Sequence, residues 1–174
     1  LKDMRGRAPA PAGLRSNPSS GTTGEPVTFY QDAGYGHWNS ADKYRHFGMC
    51  GCGVGGKRLF LWGAYKDAPP SRGWGAVKQR LRREVWVNTF SMGPGDVDRA
   101  IGLMEGWSPH LVVAYASSAE HIAREAASRG AKVRVGAVET SGEGLTAGQR
   151  KLISGTLGCP VLDRYGSREF GNIA

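Results

Sequence analysis

No stretch of this sequence is apolar for long enough to cross a bilayer as a helix. Nor does a charged start lead into the apolar run of a secretory leader, so no signal peptide is expected. Cysteine is scarce: Cys50, Cys52 and Cys159 are too few, and odd in number, for a disulfide framework. A reducing, cytoplasmic setting is therefore expected. Internal repeats and low-complexity tracts are also absent. What is present, 40% hydrophobic and 22% charged residues, is the balance of a folded globular chain rather than a disordered one. The 27 glycines point to many turns and close backbone approaches.

Acidic residues are outnumbered, 15 against 23 Lys and Arg, which leaves a net charge of +8 and raises nucleic acid as a partner. Such a partner needs a focused basic face interleaved with aromatics. Only Lys78-Gln79-Arg80-Leu81-Arg82-Arg83 is dense, and on a helix its charges fall around Leu81 as a solvated face. No nucleic acid and no membrane are expected as partners.

The pattern along the chain is that of an α/β protein. Residues 1–18, with Pro9, Pro11, Gly13 and Pro18, are expected to be irregular. Val27-Thr28-Phe29-Tyr30 begins an extended run, Ala41 to Phe47 a short helix, and Leu59 to Trp62 a strand. Pro69-Pro70-Ser71-Arg72-Gly73 is a loop, followed by a helix around Val77 to Arg83 and the alternating strand Glu84 to Asn88. Val97, Ala100, Ile101 and Met104 recur at helical spacing, and Ser108-Pro109 ends that helix. After the strand Leu111 to Ala114, Ser117 and Glu120 have capping-box spacing before a stripe of Ile122, Ala123, Ala126 and Ala127 that stops at Gly130. Thr146 and Gln149 open another helix, ending near Gly158, before the strand at Pro160-Val161-Leu162. From Leu111 to Val161 the alternation predicts a right-handed parallel sheet flanked by helices, with ligands at the carboxyl ends of its strands.

Three segments carry chemistry. Ser19-Ser20-Gly21-Thr22-Thr23-Gly24-Glu25-Pro26 has four hydroxyls to donate to phosphate oxygens and two glycines that let backbone N–H groups face an anion. A polar surface turn is the alternative. Leu162 to Gly171 collects an aromatic, glycines, a hydroxyl, a guanidinium and a carboxylate, parts suited to a nucleotide and its metal. Between them stands Thr140-Ser141-Gly142-Glu143. The plain alternatives are a core aromatic for Tyr165 and a surface ion pair with Arg168 for Glu169.

In this order the three segments resemble the AMP-forming adenylation superfamily, and within it the phenylacetate-CoA ligase and CapK-like branch. Gly56-Lys57-Arg58-Leu59-Phe60-Leu61-Trp62-Gly63, Pro109 to Ser118 and Gly148-Gln149-Arg150 resemble further segments of that branch, so the likeness spans most of residues 16–174. The resemblance implies that Ser19, Ser20, Gly21, Thr22, Thr23 and Gly24 hold the ATP phosphates, with Thr22 and Thr23 taking part in catalysis. It implies that Ser141, Gly142 and Glu143 border adenine, and that Arg164, Tyr165, Gly166 and Ser167 meet the nucleotide. Glu169 would be the magnesium ligand, and Tyr115, Ala116 and Ser117 part of the acyl pocket. Relatives commonly have threonine before that glutamate; here Arg168 stands there as a forked cation for phosphate. A lysine common near the first loop is replaced by Glu25 and Val27 around Pro26.

The implied reaction is ATP- and magnesium-dependent activation of a small-molecule carboxylate to an acyl-adenylate, followed by transfer to coenzyme A. An adenylyltransferase that leaves AMP on its product is a second reading, and a non-catalytic nucleic-acid or protein interaction module a third. Members of that superfamily are longer, so residues 19–174 are expected to form an incomplete adenylate-forming domain. Its C-terminal part and small mobile domain would be missing, and the fragment alone would be inactive.

Other motifs compete for attention. Gly51-Cys52-Gly53-Val54-Gly55-Gly56-Lys57 has dinucleotide-loop spacing and the start of a Walker loop. Arg58 stands where a Walker loop needs Ser or Thr, and a strand follows where a Rossmann loop needs a helix, so a tight turn is expected. Cys50 and Cys52 lack the two-residue gap of a zinc knuckle, with His37 and His46 the nearest further ligands. His110 and His121 have no visible nucleophile partner, and Ser167 lies in no G-x-S-x-G elbow.

Overall fold

The computed structural model describes residues 13–18, 28–63, 73–167 and 169–174. Along the chain run β1 (Arg15–Pro18), β2 (Thr28–Gln31), α1 (Ala33–Met49), β3 (Arg58–Leu61), α2 (Trp74–Arg82), β4 (Glu84–Val87) and α3 (Pro94–Gly102). A π-helical turn (Leu103–Trp107) then leads to β5 (Leu111–Ala114), α4 (Ala116–Ser128), β6 (Ala137–Ser141), α5 (Ala147–Leu157), β7 (Val161–Arg164), β8 (Gly166–Ser167) and β9 (Gly171–Asn172).

Strands β3 to β7 form one parallel sheet in the order β4-β3-β5-β6-β7. The chain starts inside the sheet, adds β4 on one side, then crosses β3 and grows the other way. Strand order therefore reverses between β3 and β5, the kind of topological switch point at whose carboxyl edge open parallel sheets bind ligands. Two short antiparallel pairs, β1–β2 and β8–β9, lie outside this sheet.

Both faces of the sheet are covered, which is why β3 and β5 are buried along their whole length and read as continuous apolar runs. On one face Leu59, Leu61, Val112, Ala114, Val138 and Val161 pack against Val97, Ile101 and Met104, Ile122 and Ala126, and Ile153 and Leu157. On the other, Phe60, Leu111, Val113 and Ala137 meet Phe47, Cys50 and Cys52 at the end of α1.

Three local expectations give way. Residues 15–18 are not irregular: Arg15 to Pro18 pair in register with Gln31 to Thr28. Helix α1 starts at Ala33 rather than near Ala41, because Asp32 caps it, its Oδ1 accepting from the Tyr35 amide at 2.6 Å. The capping box of Ser117 and Glu120 does not form, and Ala127 is exposed rather than part of the buried stripe. Glu120 instead accepts from Arg124 and Gln149. The Thr146–Gln149 box does form, and Gly158 closes α5 with a left-handed φ of 65°. The loop expected at residues 69–72 lies outside the described residues.

Candidate functional site

Register places the candidates in rows. Leu61, Ala114, Thr140 and Asp163 lie side by side across β3, β5, β6 and β7, and the next step along each strand brings Trp62, Tyr115, Ser141 and Arg164. One residue further come Gly142 and Tyr165. Four separate chain segments are thus gathered at the carboxyl edge, on either side of the point where strand order reverses.

At that reversal the carboxyl edge carries a pair of rings. Trp62 and Tyr115 stack, and Gly142 packs beneath them with a φ of 80°, so close that a Cβ there would lie 3.0 Å from the Tyr115 ring. Trp62 stands outside the predicted site set; its only sequence signal is an aromatic at the end of a strand. Beside the rings, Glu143 reaches back to the first turn of α4. One carboxylate oxygen accepts from the Ser117 amide at 2.9 Å and the other from the Ser117 hydroxyl at 3.0 Å. A carboxylate supplied from the β6–α5 loop therefore does the work of an N-cap, where helix amides and dipole favour negative charge. Ala116 is buried beneath this contact.

Along β7 the next cluster is built around the short hairpin of β8 and β9. Tyr165 has an exposed ring while its main chain is tied to Ile173 and Ala174. The Ser167 hydroxyl accepts from the Phe170 amide at 3.2 Å and so shapes the turn that presents Glu169, which is exposed. Gly166 packs against the Gly171 carbonyl, where a Cβ would approach to 2.7 Å. Arg164 directs its guanidinium inward, pairing with buried Glu139 at 2.8 Å and donating to Asn172 at 2.6 Å.

The hairpin is also near the start of α1. Burial raises the Tyr35 phenol, the Gln31 hydrogen bond opposes this, and the charge of Glu169 adds to the rise. Tyr35 stands in the first turn of α1, and its hydroxyl and the Asn39 side chain lie against Gly171 of the hairpin. The first candidate loop, with Ser19, Ser20, Gly21, Thr22, Thr23 and Gly24, lies outside the described residues, as does Arg168.

The glycine-rich segment 51–57 enters β3 from the opposite, amino edge. Gly56 packs on the Cys52 sulfur, Lys57 donates its amide to His110 Nδ1 at 2.9 Å, and its ammonium donates to the Trp107 carbonyl at 2.7 Å. It is a turn joining α1 to β3. Cys50, Cys52 and Cys159 are free and buried. Among the described residues no group of three or more His, Cys, Asp and Glu could hold a metal. A hollow of about 380 Å³ along α5, lined by Gly148, Lys151, Leu152, Gly155 and Thr156, contains none of the candidates.

Comparison with solved structures gives the fold a setting. The chain is similar to 2-hydroxyisobutyryl-CoA ligase, captured in an open conformation with 2-HIB-AMP and CoA. Identity is 17% and the TM-score 0.62, covering 90% of this chain and 35% of the ligase. ATP-bound MatB from Rhodopseudomonas palustris is 14% identical with a TM-score of 0.57, over 90% of this chain and 29% of MatB. The luciferase-like enzyme of the nonluminescent mealworm Zophobas morio is 16% identical with a TM-score of 0.62, over 91% and 35%. No protein-family model and no curated protein matches the sequence. The five-stranded parallel sheet with its helices is thus the fold of part of an adenylation domain, and the chain spans about a third of the length of these enzymes.

Proposed function

We propose that this chain is the nucleotide-facing part of an enzyme that uses ATP to convert a carboxylate into an acyl-adenylate and then passes the acyl group to coenzyme A, in the manner of phenylacetate-CoA ligase. The observation that carries the reading is the gathering of Tyr115, Ser141 to Glu143 and Tyr165 to Ser167 at one sheet edge, in a fold shared with a ligase that holds an acyl-adenylate and CoA.

The chemistry asks for such a gathering. A carboxylate attacking the α-phosphate brings one anion to another, so donors and a cation must meet the growing charge. Ser19, Ser20, Thr22 and Thr23, with the amides around Gly21 and Gly24, hold the departing pyrophosphate. Arg168 adds a forked cation to the phosphates. Tyr165 packs on the nucleotide with Arg164, Gly166 and Ser167 behind it, and Ser141, Gly142 and Glu143 border the base. Tyr115 and Ser117 face the acid, with buried Ala116 supporting them from below, and Trp62 joins them through its stacked ring.

Glu169 is an exposed carboxylate in a turn. Magnesium takes one or two carboxylates together with phosphate oxygens and water, so the donor set fits. Bound there, the ion supplies Lewis-acid neutralisation of phosphate charge.

Pyrophosphate release by the full-length protein with ATP and a panel of carboxylic acids, with and without CoA, tests the reading. Acid-dependent release, with acyl-CoA formed when CoA is present, is the expected result. AMP retained on the product would move the assignment to an adenylyltransferase, and no release with any acid would overturn it.

A further inference from the structure

We propose that Glu139 is a positioning residue which, through Arg164, fixes the 165–172 hairpin carrying Tyr165, Ser167 and Glu169 at the carboxyl edge. Its effect on turnover rests on the adenylation reading above; its effect on the hairpin does not.

Glu139 lies in the middle of β6 and is 1% exposed, a setting in which a carboxylate persists only with partners. It has two. Arg164 Nε lies 2.8 Å from one oxygen, an ion pair off hydrogen-bond alignment, and the Cys50 thiol donates to the other at 3.4 Å. Burial, reinforced by Glu139, pushes Cys50 up to about 12, so the thiol keeps the proton it donates. The carboxylate thus joins the end of α1 to the last residue of β7.

From Arg164 the tie continues outward: its Nη1 donates to Asn172 Oδ1 at 2.6 Å, in the returning strand of the hairpin. Strands β8 and β9 are two residues each, too short to hold a position by their own pairing. On the opposite face of the sheet, Thr140 Oγ1 donates to Asp163 Oδ1 at 3.0 Å, so the end of β7 is gripped from both sides. Arg164 is thereby engaged from within the protein, and its role is to orient the hairpin.

The test uses the full-length protein and compares Glu139→Gln with wild type. Backbone amides of 165–172 are expected to exchange about tenfold faster in hydrogen-exchange mass spectrometry, with those of α4 unchanged. The kcat for pyrophosphate release should fall about tenfold while KM for ATP stays within about threefold, and Glu139→Asp should recover part of the loss. Exchange at 165–172 within about twofold of wild type overturns the inference. Should Glu139→Gln fail to fold, the double variant Glu139→Leu/Arg164→Met removes both charges together. It is expected to fold with a loosened hairpin, and wild-type exchange in that variant overturns the inference equally. A wild-type protein that releases no pyrophosphate defeats the adenylation reading alone, since hairpin exchange still decides the role of Glu139.

Discussion

The indole of Trp62 and the ring of Tyr115 stack with centroids 4.3 Å apart and planes 19° from parallel, joining the chain that leaves β3 to the chain that leaves β5. Such a pair contributes about 0.5–1.5 kcal/mol beyond its burial. Because it stands at the carboxyl edge where strand order reverses, its removal should alter selectivity as well as stability. Tyr115→Ala in the full-length protein is expected to shift kcat/KM toward bulkier acids, measured across a graded carboxylate panel. Gly142→Ala, which needs a left-handed backbone and meets the Tyr115 ring, should lower stability by roughly 1–3 kcal/mol in urea unfolding.

Glu143 and Ser117 make a paired contact from the β6–α5 loop to the start of α4. Ser117→Ala removes one of its two hydrogen bonds and should cost about 1 kcal/mol, read by denaturant midpoint. Restoring the unformed local box offers no relief, since Glu120 is already engaged by Arg124 and Gln149.

Arg58 is 1% exposed at the amino edge, with Glu84 at 3.1 Å and its guanidinium over the rings of Phe47 and Tyr44 at 5.0 and 5.4 Å. Glu84→Gln strands that charge and is expected to destabilise by about 3–5 kcal/mol. The double variant Arg58→Met/Glu84→Leu should recover most of the loss, because apolar side chains of similar volume can replace a buried pair. Equal losses in single and double variants, by thermal or urea unfolding, would contradict the account.

Burial raises all three thiols, Cys50 to about 12, Cys159 to about 11, and Cys52 in the same direction. A thiol reagent at neutral pH should leave all three unlabelled in the native protein and label all three in denaturant. The pH dependence follows. The unfolded chain loses the Cys50 and Cys159 protons near the ordinary thiol value of 9.0, while the folded one keeps them to about 12 and about 11. Stability is therefore complete below pH 9 and declines as pH rises toward 11 or 12. Melting temperatures over that range should fall less steeply for Cys159→Ala than for wild type.

Much of the sheet was legible because parallel strands buried on both faces leave compact apolar runs such as Leu111-Val112-Val113-Ala114, and the helices of one face carry clear periodicity at Val97 to Met104. The first half of α1 was not. Gly34, Gly36, Asn39 and Ser40 are weak helix formers, and the segment is held by the Asp32 cap and by packing further along, at Phe47. The cap of α4 was misread because its acceptor, Glu143, arrives from 26 residues away. The Glu139–Arg164 pair was invisible for a related reason: only the register of β6 against β7 brings these two residues to one face. The candidate segments after β5, β6 and β7 were readable because each follows its strand directly.

Since every neighbouring pair in the main sheet is parallel, no two of its strands can meet through a tight hairpin, and each pairing waits for a helical crossover to close. Apart from the local β8–β9 pairing, the rings and carboxylates at its edge are therefore brought together only by contacts between distant parts of the chain. Because the carbonyl of Val87, at the end of β4, accepts from the Trp62 amide at 3.1 Å, weakening β4 should disturb the ring pair as well as the sheet that carries it.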